Sequence, residues 1–240
     1  MRVPRIYYAD AYVANTSIKL DETASRHLCQ VLRLSAGHPL TVFNGQGQAF
    51  AAEIELADRK RALVRVGAEK ASDPHPPLAI HLGIALSKGD RFDWVVQKAT
   101  ELGVSHITPL QTQRVDVRLN RERAEKKLRH WQQIIISACE QCGRNTLSAL
   151  SEITALDQWL AISADEKWVL CPDNAQALAT EHRPTSVALL IGPEGGLDEM
   201  EIAHAQKSGF KALQLGPRVL RTETAPLAAI AILQHHWGDM

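Results

Sequence analysis

Val187-Ala-Leu-Leu-Ile-Gly-Pro-Glu-Gly-Gly196 is a short apolar run that ends in a glycine-bearing turn. A second unit of the same kind comes after it, in which Lys211-Ala-Leu-Gln-Leu215 leads into Gly216-Pro-Arg-Val-Leu-Arg-Thr-Glu-Thr224. Turns placed after the C-terminal ends of buried strands are where open α/β sheets put ligands. Gly195 and Gly196 lack a Cβ, so the backbone can take positive φ and lie close against a bound molecule. Between the two units, Asp198 with Glu201 three residues on forms the reciprocal cap of a helix, and Gly209 is its stop. Two ordinary strand-to-helix turns fit the same letters. The pattern predicts a crevice and leaves its occupant open.

Upstream, strands and helices alternate. Leu78–Leu86 is a buried strand, Arg91–Leu102 a helix with Phe92, Val95, Val96 and Ala99 on one side, and Val104–Leu110 a strand closed by Pro109. Asn120 caps a long helix whose apolar positions Ala124, Leu128, Trp131, Ile135, Ala138 and Cys142 step by four and three. Trp168–Cys171 is a strand and Pro226–Trp237 a final helix. Such alternation implies a mainly parallel sheet covered on both faces. Residues 1–70 read differently: Ile6-Tyr7-Tyr8 is a strand, and Asp21 caps a helix with the stripe Ala24, Leu28, Val31 and Leu32. Asn44-Gly45 then marks a hairpin between Leu40–Phe43 and Gln48–Leu56, and Arg61–Val66 is a further strand. Short strands with tight turns predict a small barrel. The proline-rich Ala68–Pro77 reads as a semi-rigid linker, dividing the chain into 1–70, a linker at 71–77, and 78–240.

The 240 residues are 45% hydrophobic and 22% charged, with zero formal net charge. No apolar run has the length of a membrane span, and the stretch from Met1 to Tyr8 has no apolar core of signal-peptide length. Four unevenly spaced cysteines, Cys29, Cys139, Cys142 and Cys171, indicate a reduced, cytoplasmic protein. Cys139-Glu-Gln-Cys142 lies inside the long helix without a second ligand pair, so no metal is expected. Neutral charge argues against bulk electrostatic binding of RNA. A local basic face remains open in Arg114, Arg118, Arg121, Arg123, Lys126, Lys127 and Arg129, opposed by Asp116, Glu122 and Glu125. Lys88 and Arg91 stand at the start of a helix, where cations are disfavoured; that mismatch favours an anionic partner.

Leu190-Ile-Gly-Pro-Glu-Gly-Gly-Leu197, paired with Leu215-Gly-Pro-Arg-Val-Leu-Arg-Thr-Glu-Thr-Ala225, resembles the signature of the RsmE family. Those proteins are S-adenosylmethionine-dependent methyltransferases of the SPOUT superfamily that methylate N3 of a uridine in 16S ribosomal RNA. His27-Leu-Cys-Gln-Val-Leu-Arg33 and Lys88–Gly103 are also similar to the family, and the resemblance spans essentially the whole chain. It implies an α/β fold: a C-terminal SPOUT-type domain with a deep trefoil knot, behind a small N-terminal PUA-like β-barrel domain. It implies S-adenosylmethionine held by backbone groups around Leu190, Ile191, Gly192, Gly195 and Gly196, and around Leu215, Gly216 and Leu220. It further implies a homodimer through the C-terminal domain, acting on 16S rRNA, with the assembled small subunit as the expected substrate and no membrane partner.

For RNA contacts the candidates are Arg2, Arg5, Arg26, Arg33, Lys88, Arg91 and Arg144, each of which also reads as an ordinary surface cation. For chemistry they are Arg221, Arg114 and Glu140. Arg221 is expected to stabilise the charge that develops on the uridine, with Arg114 second. The family often carries a glutamate just before that second arginine; here the residue is Gln113. Glu140 matches the family's Glu-Gln-x-x-Arg and either touches substrate or pairs with Arg144 along the helix, which would lower its basicity. A non-catalytic RNA-binding protein is the alternative. A nucleotide-dependent enzyme is disfavoured, because Gly45-Gln-Gly47 lacks a third glycine and precedes strand residues.

Overall fold

A computed structural model describes residues 3–10, 14–70, 72–73, 76–114, 120–171 and 183–240. Arg2, and Asp116 and Arg118 of the charged run, lie outside them. The chain forms two compact units: Met1–Pro74 with Cys139–Leu147, and His75–Ala138 with Ser148–Met240. The segment Cys139–Leu147 thus joins the N-terminal unit, whereas a cut at 70/78 assigns it to the C-terminal domain.

In the N-terminal unit, β1 (Arg5–Tyr7), β2 (Ser17–Lys19), α1 (Glu22–Arg26), β3 (Pro39–Phe43), β4 (Ala49–Leu56) and β5 (Leu63–Glu69) follow in sequence. The sheet order is β1-β3-β4-β5-β2. Its strands alternate, sending Ile6, Leu40, Val42, Ile54 and Val64 into one core. The expected hairpin forms between β3 and β4, with a loop longer than two residues that begins at Asn44. That loop grips the later segment: the Leu147 N–H donates to Gly45 O at 2.9 Å and the Gly47 N–H to Asn145 O at 3.1 Å. Asp73 is tied into the same unit by Asn145 Nδ2 at 2.7 Å, so the linker begins under restraint.

Asp21 caps α1 as expected, accepting from the Ala24 N–H at 2.7 Å. The stripe beyond it fails. Residues His27–Val31 form a π-helical turn, closed by the Leu32 N–H on His27 O at 2.9 Å. The wider turn rotates the residues at its end away from the core: Leu28 is fully buried, but Val31 and Leu32 are 64% and 41% exposed.

The C-terminal unit contains β6 (Ala79–Ala85), α2 (Arg91–Glu101), β7 (His106–Gln111) and most of α3 (Arg121–Cys142). Then come β8 (Ala149–Leu150), β9 (Thr154–Ala155), α4 (Leu156–Trp159), β10 (Glu166–Leu170), β11 (Ser186–Ile191), α5 (Glu199–Lys207), β12 (Lys211–Leu213) and α6 (Ala225–Trp237). All pairings are parallel, in the order β12-β10-β11-β6-β7-β8, with β9 also on β7. Both faces of β11 are covered, which is why Val187–Leu190 is apolar without alternation. Asn120 caps α3 by accepting from the Arg123 N–H at 2.9 Å. Asp198 and Glu201 complete the expected reciprocal cap of α5.

Pro109 lies inside β7 rather than at its end. One side of β7 pairs continuously with β6, through Ile84 opposite Pro109; on the other, β8 meets His106–Ile107 and β9 meets Leu110–Gln111. A proline, lacking an N–H, fits the gap between them. Gly83 in β6 lets α4 approach, since a Cβ there would stand 2.5 Å from Trp159 Cζ2. Gly83→Ala should therefore lower stability by about 1–3 kcal/mol, as overpacked cores do. A urea midpoint equal to that of the wild type would show that Trp159 moves aside without cost.

Candidate active site

The C-terminal ends of β10, β11 and β12 surround a cavity of about 190 Å³. Ile191, Gly192, Pro193, Gly196 and Leu197 form one wall, and the stretch from Leu213 to Leu220 with Thr222 and Ala225 forms the other. The first wall begins with a tight turn, in which the Gly196 N–H donates to Pro193 O at 2.8 Å. Gly196 sits at φ +70, where side chains are strained. Gly192 is required for closeness instead: a Cβ there would lie 2.9 Å from the Leu197 backbone nitrogen.

Six of the eight residues expected around the ligand line this cavity: Ile191, Gly192, Gly196, Leu215, Gly216 and Leu220. Leu190 does not, because its side chain belongs to the core with Ala188 and Phe210 while its backbone pairs with β6 and β10. Gly195 does not either; the space beside it belongs to Arg114, whose Cβ and Cδ would lie 3.7 Å from an added Cβ. Leu170 and Cys171 join the lining without a signal in the sequence. Their stretch is legible as a strand, but which strands are neighbours is not written in local pattern.

Charged residues from several elements converge on these two walls. Arg114, beyond the end of β7, donates from Nη1 to Gly195 O at 2.9 Å, and so anchors the first wall. The Gln113 N–H donates to Glu201 at 2.8 Å, which fixes the strand end to the start of α5. At this helix start Arg91 meets a carboxylate within the unit. Glu194 Oε1 accepts from the Lys88 backbone N–H at 3.2 Å and lies 3.1 Å from Arg91 Nη1. Arg91 Nε is 3.9 Å from Glu223 Oε2, and Arg221 Nη1 is 4.0 Å from Glu223 Oε1. The Arg221 side chain is 79% exposed. Among the described residues there is no group of three His, Cys, Asp or Glu able to hold a metal, and no helix is long and apolar enough to cross a membrane.

Residues 74–234 match the RNA methyltransferase domain, and residues 20–67 match the RNA methyltransferase PUA domain. The chain belongs to the RNA methyltransferase family. It is 33% identical to ribosomal RNA small subunit methyltransferase E of Buchnera aphidicola subsp. Schizaphis graminum, over 100% of this chain and 98% of that one. It also resembles a methyltransferase of Legionella pneumophila solved with the bound cofactor SAM, at 41% identity, TM-score 0.96 and full coverage of both chains (100%). The ribosomal RNA small subunit methyltransferase E of Neisseria gonorrhoeae, solved bound to S-adenosyl methionine, is 39% identical, with TM-score 0.93 and 99% of each chain covered. A PUA-like N-terminal domain and a parallel α/β domain are thus what this RNA methyltransferase contains.

Glu140 belongs to its N-terminal unit. Its Oε1 accepts from the Tyr7 N–H at 3.1 Å. Burial raises its pKa to about 7, opposed by the Tyr7 hydrogen bond and the Arg5 charge and reinforced by Asp21. The lowered basicity expected from an Arg144 partner is therefore reversed by desolvation. Arg5 spans from β1 to the segment after α3, donating to Arg144 O at 3.1 Å and to Asn145 Oδ1. Arg26 pairs with Glu22 at 3.1 Å, and Arg33 is exposed at φ +54. A glutamate held protonated in the fold but ionised in the unfolded chain adds stability fully below its ordinary value of 4.5, lost as pH rises through about 7. Glu140→Gln, neutral throughout, should have a higher Tm than wild type at about pH 8 and an equal one near pH 4.5. Parallel Tm profiles would show that Glu140 is solvated.

Proposed function

We propose that this chain transfers the methyl group of S-adenosylmethionine to N3 of a uridine in 16S ribosomal RNA, with the cavity at the ends of β10, β11 and β12 as the donor site. The observation that carries this reading is the convergence of the two glycine-bearing loops on one crevice, on a chain of this family. The lining fits the donor: leucine, isoleucine and proline offer an apolar wall for an adenine ring, and the backbone of Gly192, Gly196 and Gly216 offers polar groups without side-chain bulk. When bound, S-adenosylmethionine supplies an electrophilic methyl group on a sulfonium.

The protein's own task is to orient the uridine, take up the N3 proton and stabilise negative charge spread over N3, O2 and O4. Arg221, exposed and held near Glu223, is the residue we assign to that charge, with Arg114 acting on it indirectly by fixing Gly195. Glu140, raised to about 7, is suited to accept a proton near neutral pH. RNA is held by exposed cations, Arg26 and Arg33 in the PUA-like unit and Lys88 in the other, while Arg5 and Arg144 order the N-terminal unit. Residues 1–70 serve RNA binding and 78–240 methyl transfer.

A knotted path is consistent with the sheet order, in which β10 lies between β11 and β12 and the following loop returns to the first wall. Val219 and Ile232, 94% and 36% exposed, suit an interface of a homodimer through the C-terminal domain. The assembled small subunit in the cytoplasm is the setting that free thiols and this substrate fit.

Labelled donor incubated with small subunits from cells lacking the enzyme should yield 3-methyluridine; a different nucleoside, or none, would sink the proposal. Arg221→Ala should slow single-turnover transfer by roughly 10²-fold or more at every pH, as loss of one positioned donor does, and leave donor affinity within a few-fold. For the cofactor, Gly196→Val should weaken binding by roughly 10- to 100-fold, because a β-branched residue is strained at φ +70. Gly195→Ala meets only ordinary contact and should bind nearly as wild type, a contrast that calorimetry resolves.

A further inference from the structure

We infer that Arg91 is a positioning residue, a clasp that sets the spacing of the two loops walling the cavity. This rests on the cavity being the donor site. Its two carboxylate partners come one from each wall. Glu194 stands between the lining residues Pro193 and Gly196, and Glu223 between Thr222 and Ala225. Arg91 lies 3.1 Å from the first and 3.9 Å from the second.

The placement makes sense only with both anions present. Arg91 opens α2, where a cation opposes the helix dipole. Asp90, the N-cap residue, makes no side-chain capping bond of its own. Glu194 compensates from outside the helix, accepting the Lys88 N–H and presenting its charge to Arg91. On the other wall, buried Glu223 Oε2 has no hydrogen-bond partner, and the Arg91 guanidinium supplies the facing positive charge. With Arg221 on Glu223 Oε1, the charges alternate from one loop to the other. Removing Arg91 leaves two carboxylates on opposite walls of one cavity with their shared cation gone.

The side chains of Arg91, Glu194 and Glu223 are 45%, 34% and 23% exposed, so each contact is screened and the effect is modest. S-adenosylmethionine affinity, read by calorimetry at about 50 mM and about 500 mM salt, tests the clasp. Arg91→Met should bind roughly 3- to 10-fold more weakly at low salt, and approach wild type at high salt, where repulsion and attraction are both screened. Arg91→Met/Glu194→Gln/Glu223→Gln should recover most of the affinity, a rescue that lost packing cannot produce. Arg91→Lys, which keeps the charge but not the fork, should be intermediate and salt-sensitive, and carries the test if Arg91→Met does not fold. Wild-type donor affinity in Arg91→Met, with weaker binding to purified small subunits, would overturn the clasp and give Arg91 to RNA. An equal loss in the triple variant would also overturn it. A wild-type protein that binds no donor would overturn the donor-site reading and the clasp with it.

Discussion

The parallel pairing of β11 is the constraint on which the C-terminal unit depends. Six residues, Ser186–Ile191, are in register with Ala79–Ile84 on one side, and four of the six are paired with β10 on the other. A strand held at both edges and covered on both faces cannot slip, because a shift by one residue exchanges every side chain between faces. Leu190 must stay in the core, so Ile191 must be the residue that turns to the cavity. Everything after it inherits that register: the tight turn at Pro193–Gly196, the cap at Asp198, and the wall closed by Leu197. The cavity is a consequence of where the strands end, and its glycines allow the backbone itself to be the wall.

Around that backbone wall the protein arranges charge sparingly. Arg114 reaches a carbonyl, Arg91 reaches two carboxylates, and Arg221 stays largely in solvent. Cations that look alike in sequence thus have different surroundings: two are tied to the loops, and one stays exposed. In the N-terminal unit the same economy appears with opposite sign. Glu140 is buried beside a backbone N–H and an arginine that do not fully compensate its desolvation, and its proton affinity rises accordingly.

The longest, most periodic elements were legible from the letters alone. β6, α2, β11 and α6 match their expected bounds to within a few residues, because a buried helix face leaves a period and a doubly covered strand leaves an unbroken apolar run. The two-residue strands β8 and β9 and the short α4 were not, since two residues have no period. Val31 and Leu32 misled because a π turn breaks the helical register, and Pro109 misled because the gap it occupies is made by strands distant in sequence. The glycine walls were legible and Cys171 was not, for a related reason: turns are local, and the order of strands is not. The elevated proton affinity of Glu140 was invisible, because it arises from burial in a unit whose strands lie far upstream, with the opposing Tyr7 N–H more than a hundred positions away.

The path of the chain constrains how the protein is made. The N-terminal unit is not finished at the linker; it needs Cys139–Leu147, which leave the ribosome about seventy residues later. Domains generally fold in the order of synthesis. Here, however, the hairpin loop at Asn44–Gln48, Arg5 and Asp73 all emerge with their partners still unmade. The first unit therefore matures only after β6, α2 and β7 have been translated, and a nascent-chain pause before residue 147 would hold it open.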